Sequence, residues 1–263
     1  MTRVHMRYFM ELRYRGAAYY GWQRQNDVPS VQQSVEKALS TLLRTPTEIV
    51  GAGRTDTGVN ASYYVAHFDA VAPIDDCARL TYKLNIVLPD DIAVFGITPV
   101  ADGAHARFDA VRREYSYYVE QRKNPFTRDG SWQYYVPLDM DEMNRAASCL
   151  LRYDDFTSFA KLNSNNKTNI CHIYRAEWSR SGDILCFRIC ADRFLRNMVR
   201  AIVGTLVDVG RGRYTAGQFE QIVAARDLSR SSGGAPAQGL FLSDVVYPDS
   251  VFRSETKHIL YNL

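Results

Sequence analysis

The residue type and setting most able to do chemistry in this chain belong to Asp56. It sits in the run Gly-Ala-Gly-Arg-Thr-Asp-Thr-Gly-Val-Asn-Ala over 51–61, where three glycines fall within eight residues. Glycine lets a backbone turn where a side chain would clash, so the run reads as a loop that lifts a carboxylate off its scaffold. Arg54 lies two residues before the acid, and Thr55 and Thr57 flank it with hydroxyls that can hydrogen-bond locally. Glu48-Ile49-Val50 reads as a strand feeding the loop. A carboxylate so placed can act as a nucleophile or base, or simply cap a tight turn.

Three further stretches carry candidate groups. Arg112-Arg113-Glu114-Tyr115-Ser116-Tyr117 reads as strand and puts Tyr115 and Tyr117 on one face. Such a pair is either core or an aromatic platform for a base. The stretch 193–209 reads as one long helix, with Leu195, Met198, Val199, Ile202 and Leu206 as an apolar stripe. Arg193, Arg196 and Arg200 form a basic stripe opposite, which is either a solvated face or a wall facing RNA. The stretch 16–25, Gly-Ala-Ala-Tyr-Tyr-Gly-Trp-Gln-Arg-Gln, has no period. It reads as a surface loop with Trp22 buried, or as an RNA-facing loop, since aromatic and Arg planes stack on bases, with Arg24 a candidate cation.

Gly-Arg-Thr-Asp-Thr-Gly-Val over 53–59 closely resembles the active-site loop of the tRNA pseudouridine synthase A family, whose nucleophile is the Asp. Phe194-x-x-x-Met198-Val199-Arg200 is similar to a second family motif, and His105-Ala-Arg-Phe-Asp-Ala110 with Tyr115 to a third. Ala235-Pro-Ala-Gln-Gly-Leu-Phe-Leu242 is similar to a fourth, which lines the base pocket from the start of a strand. The resemblance implies Asp56 as nucleophile, Arg200 as its partner, Tyr115 stacked on the target base and Leu240 in the pocket wall. It also implies a homodimer and tRNA targets at positions 38, 39 and 40, in the anticodon stem-loop. His105 receives no catalytic role. Two positions depart from the pattern: Asn60 stands where the family usually has His, and Ala237 where a second proline is common.

The elements needed to hold these groups are legible. Strands are expected over 7–15, 63–68, 92–100, 113–120 and 240–247, with a hairpin of 170–179 and 184–191 around Ser181-Gly182-Asp183. Helices are expected over 31–44 behind the capping box Ser30-Val-Gln-Gln33, over 76–85, over 140–152 capped by Asp139, and over 215–225. Strands and helices mix in both halves, so the class is α+β: two related halves with antiparallel sheets flanking a central RNA-binding cleft, the pseudouridine synthase fold that the resemblance implies. The halves are read as 1–104, with the Asp loop, and 105–263, with the Tyr strand and Arg helix. The stretch 248–263 reads as a loosely held tail.

Bulk properties narrow the function classes. Of 263 residues, 46% are apolar, and Lys+Arg 32 against Asp+Glu 29 gives a net charge of only +3. Any binding of nucleic acid must therefore come from charge placement. The sequence has no apolar run near the ~20 residues a membrane span needs, and no apolar core of a leader in 1–10. Five cysteines without a Cys-x-x-Cys pair read as reduced thiols of a cytoplasmic protein, and Cys171, His172, Cys186 and Cys190 fit no common zinc spacing. The expectation is a tRNA pseudouridine synthase needing no cofactor or metal, with Arg54 filling the place of a flipped base or holding its phosphate and Arg196 meeting the backbone. Two other classes remain. A pure RNA binder has no need of a carboxylate facing phosphates. A glycoside or nucleoside hydrolase usually needs two carboxylates across one bond, and the motif holds one.

Overall fold

A computed structural model of the chain describes residues 6–161 and 167–253. Contacts divide it into two compact units. One is built from residues up to Val111 together with those from Asp244 onward, the other from Arg112–Ser243. The described residues form nine strands and five α-helices, with both types in each unit, which is the α+β class read from the sequence.

In the first unit β1 (Met6–Tyr14) is flanked by β3 (Asn60–Ala70) and β4 (Ile92–Pro99), both antiparallel to it. The short β2 (Ile49–Gly51) pairs with β3, Ile49 opposite Phe68 and Gly51 opposite Ala66. Tyr8, Met10 and Leu12 alternate to one face of β1 and are almost wholly buried. They share a core with Val35 and Leu39 of α1 (Val31–Leu43) and with Leu80 and Leu84 of α2 (Cys77–Val87). Each such side chain contributes about 1.5–3 kcal/mol by burial. Ser30 starts α1 by accepting from the Gln33 backbone N–H at 3.3 Å, and Asp76 starts α2 in the same way from Arg79 at 2.8 Å.

In the second unit β5 (Arg112–Glu120) pairs antiparallel with β8 (Ile184–Ala191), and β8 with β7 (Ile173–Ser181), turning at Gly182 with φ +59°. A two-residue strand, β6 (Trp132–Gln133), runs parallel to the end of β5. Register sets Tyr117 opposite Phe187 and Val119 opposite Leu185, so their buried side chains share one face. α3 (Met140–Ser148) packs against β7, and α4 (Met198–Gly210) and α5 (Ala216–Ala225) pack on α3 and on each other. α5 begins with a full capping box, Thr215 and Gln218 exchanging bonds. The first residues of β9 (Leu240–Val246) lie beside β5, Ser243 Oγ donating to the Glu114 carbonyl at 3.2 Å.

Two expectations need correction. The helix expected from 193 begins only at Met198, because Asn197 takes a left-handed conformation (φ 66°) that no continuous helix tolerates. Of the tail expected from 248, residues 254–263 lie outside the described residues. The part before them is held: Val251 is buried, its carbonyl accepts from Ala101 N–H at 3.0 Å, and Arg253 Nε donates to the Val100 carbonyl at 2.9 Å.

His67 of β3 is buried, and its Nδ1 accepts the Ala106 N–H at 3.1 Å, tying the 101–110 segment to the sheet. Burial, then the charges of Arg7 and His105, lower its pKa to about 4 against the opposing pull of Asp69 and Asp109. In the unfolded chain it titrates near 6.5 and binds the proton first, so this stabilisation is complete above pH ~6.5 and is lost as pH falls towards 4. Urea midpoints should therefore rise from pH 4 to 6.5 in the parent protein and rise less steeply in His67→Gln.

Candidate active site

The Asp56 loop is fixed at its start by an aromatic wall. Tyr64 and Trp22 stack at 4.1 Å, with Tyr14 edge-on to Tyr64 at 5.5 Å. Gly51 lies against this wall, and a Cβ there would come within 2.1 Å of the Tyr64 hydroxyl, so the β2 end accepts only glycine. Tyr64 Oη donates to the Gly53 carbonyl, and Ala52 N–H donates to Val65 at 2.8 Å. Thr55 is buried, its hydroxyl 2.9 Å from that of Tyr14.

The other side of the loop is stitched to 16–22. Trp22 N–H donates to the Thr55 carbonyl at 3.3 Å, and Gly58 N–H to Tyr19 at 3.3 Å. Gly21 has φ +92° and would place a Cβ 2.3 Å from the Thr55 oxygen. The Asp56 carbonyl accepts from Val59 N–H at 3.1 Å, closing a turn in which Gly58 has φ +77°. Asn60, buried at the start of β3, accepts the Gly16 N–H on its side-chain oxygen at 2.8 Å. Asp56 itself is half-buried, and Arg54 is exposed. The backbone that carries Asp56 is thus held by hydrogen bonds on both sides.

Trp22 is buried, so within the 16–25 loop the RNA-facing reading does not extend to it. Tyr20 is the exposed aromatic there. Arg24 pairs with Glu36 at 3.1 Å and lies 3.5 Å from Glu48.

The second unit gathers Tyr115, Arg200 and the 233–240 segment. Tyr115 is half-buried on β5, with the Phe194 ring edge-on at 5.1 Å and 88°. Tyr117, on the same face, is core: it is fully buried and donates to the Pro236 carbonyl at 2.8 Å, and burial pushes its pKa upward. α4 is a largely buried helix, and Arg200 is its one residue outside the buried set. The Arg200 carbonyl accepts Ala235 N–H at 2.9 Å while its Nε donates to the Ala235 carbonyl at 2.6 Å. That pair of bonds fixes the plane of the guanidinium. Gly204 admits the segment, since a Cβ there would meet the Gly233 carbonyl at 2.2 Å. Ala237 sits in a short 3-10 turn (Ala237–Gly239) leading into buried Leu240.

Because the helix starts late, Arg193 and Arg196 stand on the connection before it and form no stripe with Arg200. Asp192 holds that connection, accepting the N–H groups of Arg193 at 2.7 Å and His172 at 2.8 Å. Arg196 is exposed there, and its carbonyl accepts from Lys161 at 3.1 Å. Tyr14, Tyr64 and Gly21, which frame the Asp56 loop, escaped sequence reasoning. Their role depends on strand pairing, although the glycines at 16 and 21 mark the tight approach.

A family model described as tRNA pseudouridine synthase matches residues 146–248. A protein of Parabacteroides distasonis named tRNA pseudouridine synthase A is 52% identical over 95% of this chain and 99% of its own length. The chain belongs to the tRNA pseudouridine synthase A family. A relative of the same name from Bacteroides thetaiotaomicron is 50% identical, covering 95% of this chain and 94% of its own. One from Shigella boydii is 41% identical over 90% and 88%.

Within this family member the role of Asn60 is physical, since it supplies the acceptor for a buried backbone donor. Asn60→Ala should lower unfolding free energy by about 1–3 kcal/mol, the cost of an orphaned buried N–H. Asn60→Asp, which keeps the acceptor, should lose less. Equal urea midpoints for parent and Asn60→Ala would contradict this.

Proposed function

We propose that the protein isomerises uridine to pseudouridine in the anticodon stem-loop of tRNA, at positions 38, 39 and 40, with Asp56 as nucleophile. The observation that carries this reading is the Asp56 carboxylate on a loop whose backbone is hydrogen-bonded on both sides. Membership of the family agrees with it.

The reaction breaks the bond between uracil N1 and the sugar C1′ and forms one from C5 to C1′. N1 gains a proton and C5 loses one, so atoms balance with no redox partner. The target base must leave the stack, and the freed uracil must be retained. In this reading Asp56 is the nucleophile, and Arg200 aims it. Tyr115 stacks on the uracil, and Leu240 forms part of the apolar wall. Arg54 takes the place of the flipped base or holds its phosphate, and Arg196 meets the backbone. The protein works in the cytoplasm as a homodimer, one tRNA touching both subunits.

Asp56→Asn keeps shape and removes charge. It should abolish pseudouridine formation while tRNA binding stays within about three-fold, since binding rests mainly on phosphate contacts. Turnover near that of the parent would overturn the assignment. Free uracil should appear with neither protein, and its release would favour the hydrolase reading.

Arg200→Lys tests the planar fork. Lysine retains the charge but not the Nε bond that orients it, so kcat should fall about ten- to hundred-fold, the worth of one charge-assisted hydrogen bond. Single-turnover rates on tRNA measure this directly. An unchanged rate would place Arg200 among ordinary structural residues.

A further inference from the structure

The loop after β5 presents a Phe that nothing in its own unit covers. Phe126 is 95% exposed, the highest value among the described large hydrophobic residues. A single exposed apolar side chain is ordinary on a protein surface. What distinguishes this one is the loop built to hold it. Thr127 Oγ1 donates to the carboxylate of buried Glu120 at 2.7 Å, and Ser131 Oγ donates to the Thr127 carbonyl at 2.8 Å. Asn124 N–H donates to Gln133 Oε1 at 3.2 Å, and Asn124 Oδ1 accepts the Phe126 N–H at 3.0 Å. Pro125 fixes one φ between them. The tip is thus stitched to β5 and β6 on both sides of the exposed ring.

The same bonds bring in a second aromatic. Tyr135, 54% exposed, donates its hydroxyl to the Gln133 Oε1 that anchors Asn124, at 3.2 Å. Cations surround the tip: Arg122, Lys123 and Arg128 are all exposed. Arg122 reaches Asp183 only at 4.0 Å, and Arg128 lies 3.6 Å from Asp129. Both pairs are largely solvated, so they neutralise the guanidinium groups weakly. An exposed ring on a rigid loop among three cations suits a partner with a flat apolar face and negative charge. That is an unpaired nucleotide, whose base stacks and whose phosphates meet Arg and Lys. A protein partner's apolar patch would be penalised by the three solvated cations.

We propose that the 122–135 loop is a second RNA contact, with Phe126 stacking on an unpaired base of the tRNA and Lys123 and Arg128 meeting its phosphates. This rests on the tRNA reading given above and adds to it residues other than those assigned to the isomerisation. It is a positioning contact, so it acts on tRNA capture and not on the isomerisation step.

The test measures Kd for unmodified tRNA, salt dependence, single-turnover rate at saturating enzyme, and mass in solution. Pseudouridine formation by the parent protein comes first, and its failure counts against the tRNA reading itself. With that activity in place, Phe126→Ala should weaken tRNA binding about ten-fold, the size expected for one stacked base. The saturated rate should hold, and Phe126→Trp should restore affinity. Lys123→Ala with Arg128→Ala should lower the slope of log K against log salt by about 1.4–1.8. Unchanged Kd in Phe126→Ala beside an active parent would overturn the proposal. So would a loss of dimer mass in Phe126→Ala, which would make the loop a contact between copies of the chain.

Discussion

Three backbone-level contacts between 16–22 and 55–60 hold the Asp56 loop, and much of the first unit's local sequence follows from them. Trp22 N–H meets Thr55, Gly58 N–H meets Tyr19, and Gly16 N–H meets the Asn60 side chain. For these bonds to form, two chain segments must approach closer than side chains allow. Gly16, Gly21 and Gly51 are the places where a Cβ would collide with backbone or ring. The Trp22–Tyr64 stack then fills the space beneath the loop. Such support fixes where the Asp56 carboxylate sits, and a displacement of about 1 Å at any reacting group can cost two orders of magnitude in rate.

The second unit solves a related problem by different means. Arg200 is the one residue of its helix outside the buried set and is itself half-buried, so solvent alone does not hold its side chain. The chain supplies instead a returning segment, 233–235, that lies against α4 where Gly204 leaves room. That segment takes one bond from the Arg200 Nε and gives one to the Arg200 carbonyl. A guanidinium so held presents its remaining nitrogens in one plane. Lysine, a point charge on a flexible stem, has no equivalent arrangement.

Much of this was legible in the sequence, and the failures have physical causes. Periodicity located α1, α2, α3 and α5, and the caps at Ser30, Asp76, Asp139 and Thr215 confirm their starts. The misplaced start of α4 came from reading Leu195, Met198, Val199 and Ile202 as one helical stripe. All four are buried, but Leu195 reaches the core from a connection that Asn197 breaks with a positive φ. Periodicity detects burial and is silent about backbone handedness. Tyr115 and Tyr117 were correctly placed on one face, yet only register and packing reveal that the second is core. Asn60, read from sequence as a departure from the family pattern, proves to be the acceptor for a buried donor, a relation between residues 44 positions apart.

The charge distribution explains how a chain with a net charge of +3 remains compatible with a polyanionic partner. Many of its arginines are engaged by carboxylates: Arg7 by Asp69, Arg152 by Glu220, Arg211 and Arg213 by Asp208, Arg226 by Asp155. These pairs lie largely on the surface, where each contributes little to stability. Their larger effect is to cancel long-range positive potential and so to weaken indiscriminate attraction to nucleic acid. Some cations stand exposed at particular places: Arg54 on the Asp56 loop and Lys123 beside an exposed aromatic ring. Affinity assembled from a few such points, with base stacking adding a short-range term, depends on the shape of the RNA as well as its charge. An enzyme that acts on tRNA among many polyanions is better served by that arrangement than by a uniformly basic surface.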